Sequence, residues 1–112
     1  MATFGEKRAD RLQNIGSLLS ESSGEKTANG EIVASACLLT GLKVLTDGVN
    51  DVTISIYDNT SASGKIVDKF VVPAAERYGG AIYARPIKMH NGIYAAMSGA
   101  GGSYYVFYAS AT

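Results

Sequence analysis

Cysteine and histidine are almost absent from this 112-residue sequence, which contains one of each, Cys37 and His90. A single cysteine excludes a disulfide within the chain, and one cysteine with one histidine cannot complete a tetrahedral metal site. His90 stands beside Asn91-Gly92, a sequence typical of turns, and Cys37 lies in an apolar run where a thiol behaves as a small hydrophobic group. We therefore expect no catalytic residues, no enzyme activity, and no metal or cofactor.

An excess of charge of one sign is also missing, because ten Lys and Arg balance ten Asp and Glu. Binding to nucleic acid or to an anionic membrane surface needs a basic excess, so neither is an expected partner. No apolar run approaches the roughly 18 residues of a membrane helix, and the charged residues 1–11 do not resemble a secretory signal. We expect a protein that stays soluble where it is made, with a charge balance that permits self-association.

The first 31 residues differ in composition from the rest, since they hold one aromatic residue while all seven tyrosines lie from Tyr57 onward. Their apolar residues recur at a spacing that would place them on one face of a short helix. Such a segment is not stable alone in water, so it is either disordered or ordered by docking on a neighbour. We divide the chain into an arm, residues 1–31, and a body, residues 32–112. The arm residues expected to contact a partner are Phe4, Leu12, Ile15, Leu18 and Leu19.

The body has the two-residue periodicity of strands, seen most clearly where Val52, Ile54 and Ile56 alternate with more polar residues. Asn91-Gly92 predicts a hairpin between the strands on either side of it. The stretch 32–45 is predicted as one long strand or as two strands broken near Gly41, and further strands are predicted at 65–72, 81–88, 93–97 and 104–108. Six or seven strands at this spacing predict an all-β, antiparallel sandwich, either jelly-roll-like or immunoglobulin-like, with an extended N-terminal arm.

Two groups of side chains could bind something on this body. Tyr104 and Tyr105 are neighbours on the last strand and point to opposite faces, so at least one ring faces outward or into an interface. We take both as weak candidates for partner binding. The Asp and Asn residues of loops 47–51 and 58–59 could hold calcium, but the same residues stabilise turns, which is the preferred interpretation.

The sequence of the body resembles those of small structural proteins of tailed bacteriophages. The resemblance is carried by residues 54–67 (ISIYDNTSASGKIV), by Asn91-Gly92-Ile93-Tyr94 and by the closing strand 104–108 (YYVFY). It covers roughly residues 38–108 and leaves the arm outside. It implies a virion component, foremost a capsid cement or decoration protein that binds the major capsid protein or other virion proteins after assembly in the host cytoplasm.

A protein of this kind must bridge neighbouring capsomers, and an arm of about 30 residues could extend on the order of 100 Å. We expect a homo-oligomer, with trimers favoured because they suit local threefold positions. A neck, tail or fibre component of the virion is the nearest alternative. A small carbohydrate-binding sandwich that uses exposed tyrosines and a hydrolase with dispersed polar groups are alternatives from other classes.

Overall fold

Residues 20–110 are described by the structure, a computed structural model, and they form eight β-strands with almost no helix. The strands are β1 (Glu21–Ser22), β2 (Gly30–Val33), β3 (Cys37–Leu45), β4 (Val52–Tyr57), β5 (Ile66–Val72), β6 (Tyr78–Met89), β7 (Ile93–Ser98) and β8 (Ser103–Ser110). One turn of 3-10 helix, Ala74–Glu76, lies between β5 and β6. The first sheet has the order β1-β8-β3-β6 and the second sheet the order β2-β7-β4-β5. The predicted all-β, antiparallel architecture is confirmed.

The hydrophobic core lies between the two sheets and is built from alternate residues of the strands. In β4, Val52, Ile54 and Ile56 are fully buried while the residues between them stay partly exposed. Tyr104 and Val106 of β8 are buried in the same way. Successive side chains of a strand point to opposite faces, so one face of each sheet enters the core and the other is left outside. Among the described residues, no polar or charged side chain is buried.

The stretch 32–45 divides into two strands, but the division is not at Gly41. The chain leaves the second sheet after β2 and enters the first sheet with β3, so a short connection between the sheets separates the two strands. Gly41 instead marks a bulge, where the register of β3 shifts against both of its neighbours. A β-carbon at Gly41 would lie 3.1 Å from the Ala81 carbonyl oxygen and 3.3 Å from Cδ2 of Phe107. The glycine therefore lets neighbouring strands come close at the bulge.

The hairpin predicted at Asn91-Gly92 is wrong, because β6 and β7 lie in different sheets. The turn itself is present and carries the chain across the sandwich. The Asp58 carboxylate accepts hydrogen bonds from the backbone N–H groups of His90 and Asn91, at 3.1 and 2.8 Å. Gly92 has a φ of +139°, and a β-carbon there would lie 2.3 Å from the Val33 carbonyl oxygen. The same turn residues that favour a hairpin thus serve a crossing between sheets.

The boundary expected after Glu31 is not where the folded body begins. β1 pairs with β8, β2 pairs with β7, and the backbones of Lys26 and Tyr104 exchange two hydrogen bonds of 2.9 Å between these pairings. Residues 21–31 therefore lie on the sandwich, because the edges of β8 and β7 satisfy their backbone groups, a pairing that polar composition does not reveal. The expected partner-binding residues of the arm fall outside the described residues: Phe4, Leu12, Ile15, Leu18 and Leu19.

Candidate interaction surface

The outer face of the first sheet carries a row of apolar residues that the strand registers bring together. Phe107 of β8 lies opposite Gly41 of β3, which lies opposite Ile82 of β6. The adjoining row along the sheet holds Tyr105 and Lys43. We use the name outer face for this surface, whose larger residues are Tyr105, Phe107, Lys43, Leu45, Tyr78 and Ile82.

An open apolar groove of about 270 Å³ runs through the middle of the outer face. Its floor is formed at Gly41, and its sides are formed by Phe107 and Ile82, with Ser20 and Thr40 at one end. Because Gly41 has no side chain, the Phe107 ring can lie close to the backbone at the floor of the groove. Ile82 is 91 % exposed, which is unusual for a large aliphatic side chain and marks the groove as a surface suited to a contact.

A second groove, of about 490 Å³, lies beside the first and is more polar. Tyr105 and Phe107 line it together with Lys43 and Leu45. The Tyr105 hydroxyl donates a hydrogen bond of 3.2 Å to the Glu25 carboxylate, and this bond raises the pKa of Tyr105 above its ordinary value. This hydrogen bond orients the Tyr105 hydroxyl. The groove therefore presents a phenol beside the Lys43 ammonium group.

Tyr104 is not available to a partner, in contrast to the sequence expectation. Its side chain is fully buried between the sheets, and its hydroxyl donates a hydrogen bond of 2.7 Å to the Ala28 carbonyl oxygen. Burial raises the pKa of Tyr104, so the phenol stays neutral and keeps this bond. Of the two adjacent tyrosines, only Tyr105 lies on the outer face. Alternation predicted that they would separate, but it could not say which of them faced the core.

The segment before Ser20 joins the body at the outer face. The Ser20 hydroxyl donates a hydrogen bond of 2.6 Å to the Thr40 hydroxyl, and both residues line the apolar groove. Residues 1–19 lie outside the described residues, but their point of attachment is fixed by this contact. Ser20, the first described residue, therefore lies at the groove of the outer face.

Cys37 and His90, the one thiol and the one imidazole among residues 20–110, are not placed for catalysis together. Cys37 is 3 % exposed, and burial, followed by the negative charge of Asp58, raises the pKa of its thiol. A thiol in that state is a poor nucleophile at neutral pH. His90 is exposed, and its backbone N–H serves to hold the turn on Asp58. Residues 20–110 contain no group of three or more His, Cys, Asp or Glu placed to hold a metal ion.

The loop carboxylates that could hold calcium are engaged in turns. Asp47 accepts hydrogen bonds from the backbone N–H groups of Val49 and Asn50, at 2.8 and 2.9 Å. Asp51 accepts a hydrogen bond of 2.8 Å from the backbone N–H of Ala74. The Asp47 bonds are those of a turn-stabilising residue. The Asp51 bond instead joins its loop to the 3-10 turn, across 23 residues of sequence.

Asp58 makes folding stability depend on pH in the acid range. Burial alone would raise the pKa of its carboxyl, but hydrogen bonds from Asn91 and His90, with the charge of His90, outweigh burial and hold the pKa below its ordinary value of 3.8. Because the folded pKa is depressed, the carboxylate contributes stability above pH 4, and that contribution is lost as the pH falls through the folded pKa.

We expect Asp58→Asn to lower stability at pH 7 and to flatten the loss of stability below pH 4. The substituted amide has no charge to lose on acidification, and it offers only one acceptor oxygen to the two N–H groups. Urea denaturation of both chains between pH 2.5 and 7 measures the two curves. Parallel curves would show that Asp58 has no part in the acid response.

Comparison with known proteins identifies no relative of this chain. No family profile matches the sequence, no curated protein is similar to it, and no solved structure matches the fold at a significant level. Within residues 20–110, none of the helical structure is long and apolar enough to cross a membrane.

Proposed function

We propose that the chain is a structural protein of a tailed-phage virion, a capsid cement or decoration protein that binds the head shell through its β domain and its N-terminal segment. The observation that carries the proposal is the apolar outer face, with the attachment point of residues 1–19 at its groove. A protein that strengthens a shell needs extended contact surfaces and no reaction chemistry. The buried thiol, the exposed histidine and the carboxylates engaged in turns are compatible with that requirement.

The strand pairing supports the finer assignment of the fold as a jelly roll. Four of the pairs in the two sheets are β1 with β8, β2 with β7, β3 with β6, and β4 with β5. This is the pattern of one long antiparallel ribbon folded over on itself, which yields eight strands in two four-stranded sheets. In an immunoglobulin-like sandwich, different strands would be adjacent to each other in the two sheets. Jelly rolls occur in viral capsid domains and in lectins, so the fold favours these two classes without deciding between them.

The outer face and residues 1–19 would both contact the capsid shell. The groove at Gly41 and the exposed Ile82 offer apolar area to a capsid protein, and Lys43 offers a charge at its margin. Apolar residues of the N-terminal segment would cross onto a neighbouring subunit, where their burial offsets the entropy lost on ordering. The partners are then the major capsid protein and copies of this chain, with trimers suited to local threefold positions, in a particle assembled in the host cytoplasm.

Addition of the purified chain to heads assembled without it tests the proposal. We expect the chain to sediment with these heads and to raise the temperature at which they lose their contents. Phe107→Lys, which places a charge in the groove, should weaken this binding, whereas Val71→Lys, on the exposed side of the second sheet, should not. Thermal unfolding of each variant checks that it is folded. Failure of the chain to bind the heads would overturn the cement role. Binding only at the neck or tail would instead identify the chain as a component of those structures.

A carbohydrate-binding domain is the second candidate, favoured by the Tyr105 and Phe107 rings beside Lys43 and Glu25. Aromatic rings with nearby polar groups can hold a sugar. Such a site is complete within the body, so binding to a glycan array should persist when residues 1–19 are removed. Head binding should be lost on that removal, which separates the two functions.

A further inference from the structure

Within residues 20–110, β6 is an edge strand with one side unpaired. It pairs with β3, and in the order of the first sheet no strand follows it. Its pairing has two parts, because Tyr78 to Ile82 oppose Leu45 to Gly41, and the register then jumps to Ile87 opposite Leu39. Residues 83–86 bulge out of the ladder between these parts. Residues 78–82 are therefore the longer of the two stretches of β6 that pair without a register shift, and residues 87–89 are the shorter one.

Protection of this edge lies in the second half of β6, after residue 82. Natural edge strands are commonly blunted by charged residues, proline or bulges, which prevent pairing with another chain. In β6 the bulge, Arg85 and Pro86 fall within residues 83–86, and Lys88 adds a charge to the shorter paired stretch. Residues 78–82 have the sequence Tyr-Gly-Gly-Ala-Ile, with no charge and no proline. The longer paired stretch of β6 is thus the part that carries none of these devices.

The two large apolar side chains of this open edge are also exposed. Tyr78 is 67 % exposed and Ile82 is 91 % exposed. They are four residues apart on a strand, so both stand on the outer face, with Gly80 between them. Exposed large hydrophobic residues on an unprotected edge strand indicate a contact that the single chain does not make.

We propose that residues 78–82 pair antiparallel with the same residues of a second copy of this chain, about a twofold axis at Gly80. In that register Tyr78 of one copy lies opposite Ile82 of the other, and the pair occurs twice. Aromatic residues opposite β-branched residues are favourable cross-strand pairs. The glycines leave room at the axis, and the two first sheets join into one continuous sheet.

A second copy is the occupant that the charges of the edge favour. A twofold contact places the same residues of both copies against each other, so any charge in it would meet a like charge or stand close to one. Residues 78–82 carry no charge, and the whole chain has a formal net charge of zero. Little repulsion therefore opposes the approach of two copies. The proposal concerns the chain alone and does not depend on the capsid role, and its pairwise contact differs from the trimer expected from the sequence.

Cysteine cross-linking in two single variants tests the register. Opposed residues of an antiparallel pair have α-carbons about 4.5 to 5.5 Å apart, within disulfide range. An equimolar mixture of Tyr78→Cys and Ile82→Cys chains should form a cross-linked dimer under mild oxidation, because position 78 of one faces position 82 of the other. Either variant alone should form little cross-linked dimer, because the introduced cysteines of its two copies lie far apart along the joined strands. The native Cys37 is 3 % exposed and should not interfere.

Sedimentation of the purified full chain tests the contact without cysteines. We expect the unaltered chain to form dimers as its concentration rises, Ile82→Lys to lose them, and Val71→Lys to keep them as the matched control. Both positions are exposed, at 91 and 61 %, so neither substitution should disturb the core. A chain that stays monomeric, or dimers that persist in Ile82→Lys, would overturn the proposal. So would cross-linking of each cysteine variant with itself as readily as with the other.

Discussion

Replacing Gly92 with alanine is expected to lower the free energy of unfolding by about 2–4 kcal/mol. Gly92 has a φ of +139°, a conformation that residues with a β-carbon rarely adopt. The added β-carbon would also lie 2.3 Å from the Val33 carbonyl oxygen, so the end of β2 would have to move. Urea denaturation at pH 7 measures the loss.

Gly30→Ala is the matched control for this substitution. Gly30 lies in β2, and a β-carbon built there has no heavy atom within 4 Å. We expect its effect to stay within about 0.5 kcal/mol. Equal losses from the two substitutions would contradict the role assigned to Gly92, which is to let the crossing between sheets pass close to the backbone of β2.

Replacing Ile54 with alanine is expected to lower the free energy of unfolding by about 2–5 kcal/mol. Ile54 is fully buried in β4, a central strand of the second sheet, and lies opposite Phe70 on one side and Met97 on the other. Truncation removes apolar contacts and leaves a cavity that the sheet can close only in part. The midpoint and slope of a urea titration give the change in free energy.

The matched control is Ile66→Ala, which removes the same atoms from a position that is 47 % exposed. Ile66 opens the edge strand β5, where the surroundings can relax and water already reaches the side chain. We expect Ile66→Ala to lower the free energy of unfolding by clearly less than Ile54→Ala does. If Ile66→Ala cost as much as Ile54→Ala, the core would not be centred between the sheets as the structure describes it.

Sequence periodicity predicted the strands well because burial on one face of a sheet is a local pattern. Val52, Ile54 and Ile56 alternate in the sequence and are buried in the structure. The same pattern could not say which strands pair, since pairing depends on residues far apart in the chain. Asn91-Gly92 therefore predicted a hairpin where the chain crosses between sheets, and polar residues 21–31 were assigned to an arm although they pair with β8 and β7.

The interaction surface was predicted only in part, for the same reason. Alternation on the last strand placed one of Tyr104 and Tyr105 outside, but the inside residue is fixed by the core, where the Tyr104 hydroxyl reaches Ala28. Phe107 and Ile82 were not predicted as site residues. Phe107 shares a face with Tyr105 by strand periodicity, and that signal was in the sequence. The approach of Ile82 to it across Gly41 required the register of three strands.

The structure also changes how the N-terminal segment should be tested. Removal of residues 1–30 would take away β1, the pairing of Lys26 with Tyr104, and the Ala28 carbonyl that accepts the Tyr104 hydroxyl. Loss of function after such a deletion could reflect loss of folding. A deletion that ends at Leu19 keeps all of these contacts and removes only residues outside the described body.

Head binding by a chain that begins at Ser20 is the measurement that most directly tests the account. We predict that this shortened chain unfolds at nearly the same temperature as the full chain, because its two sheets are complete, but no longer sediments with heads that lack the protein. The full chain in the same assay should sediment with them. Undiminished binding by the shortened chain would show that the leading segment does not hold the protein on the shell, and would contradict the account.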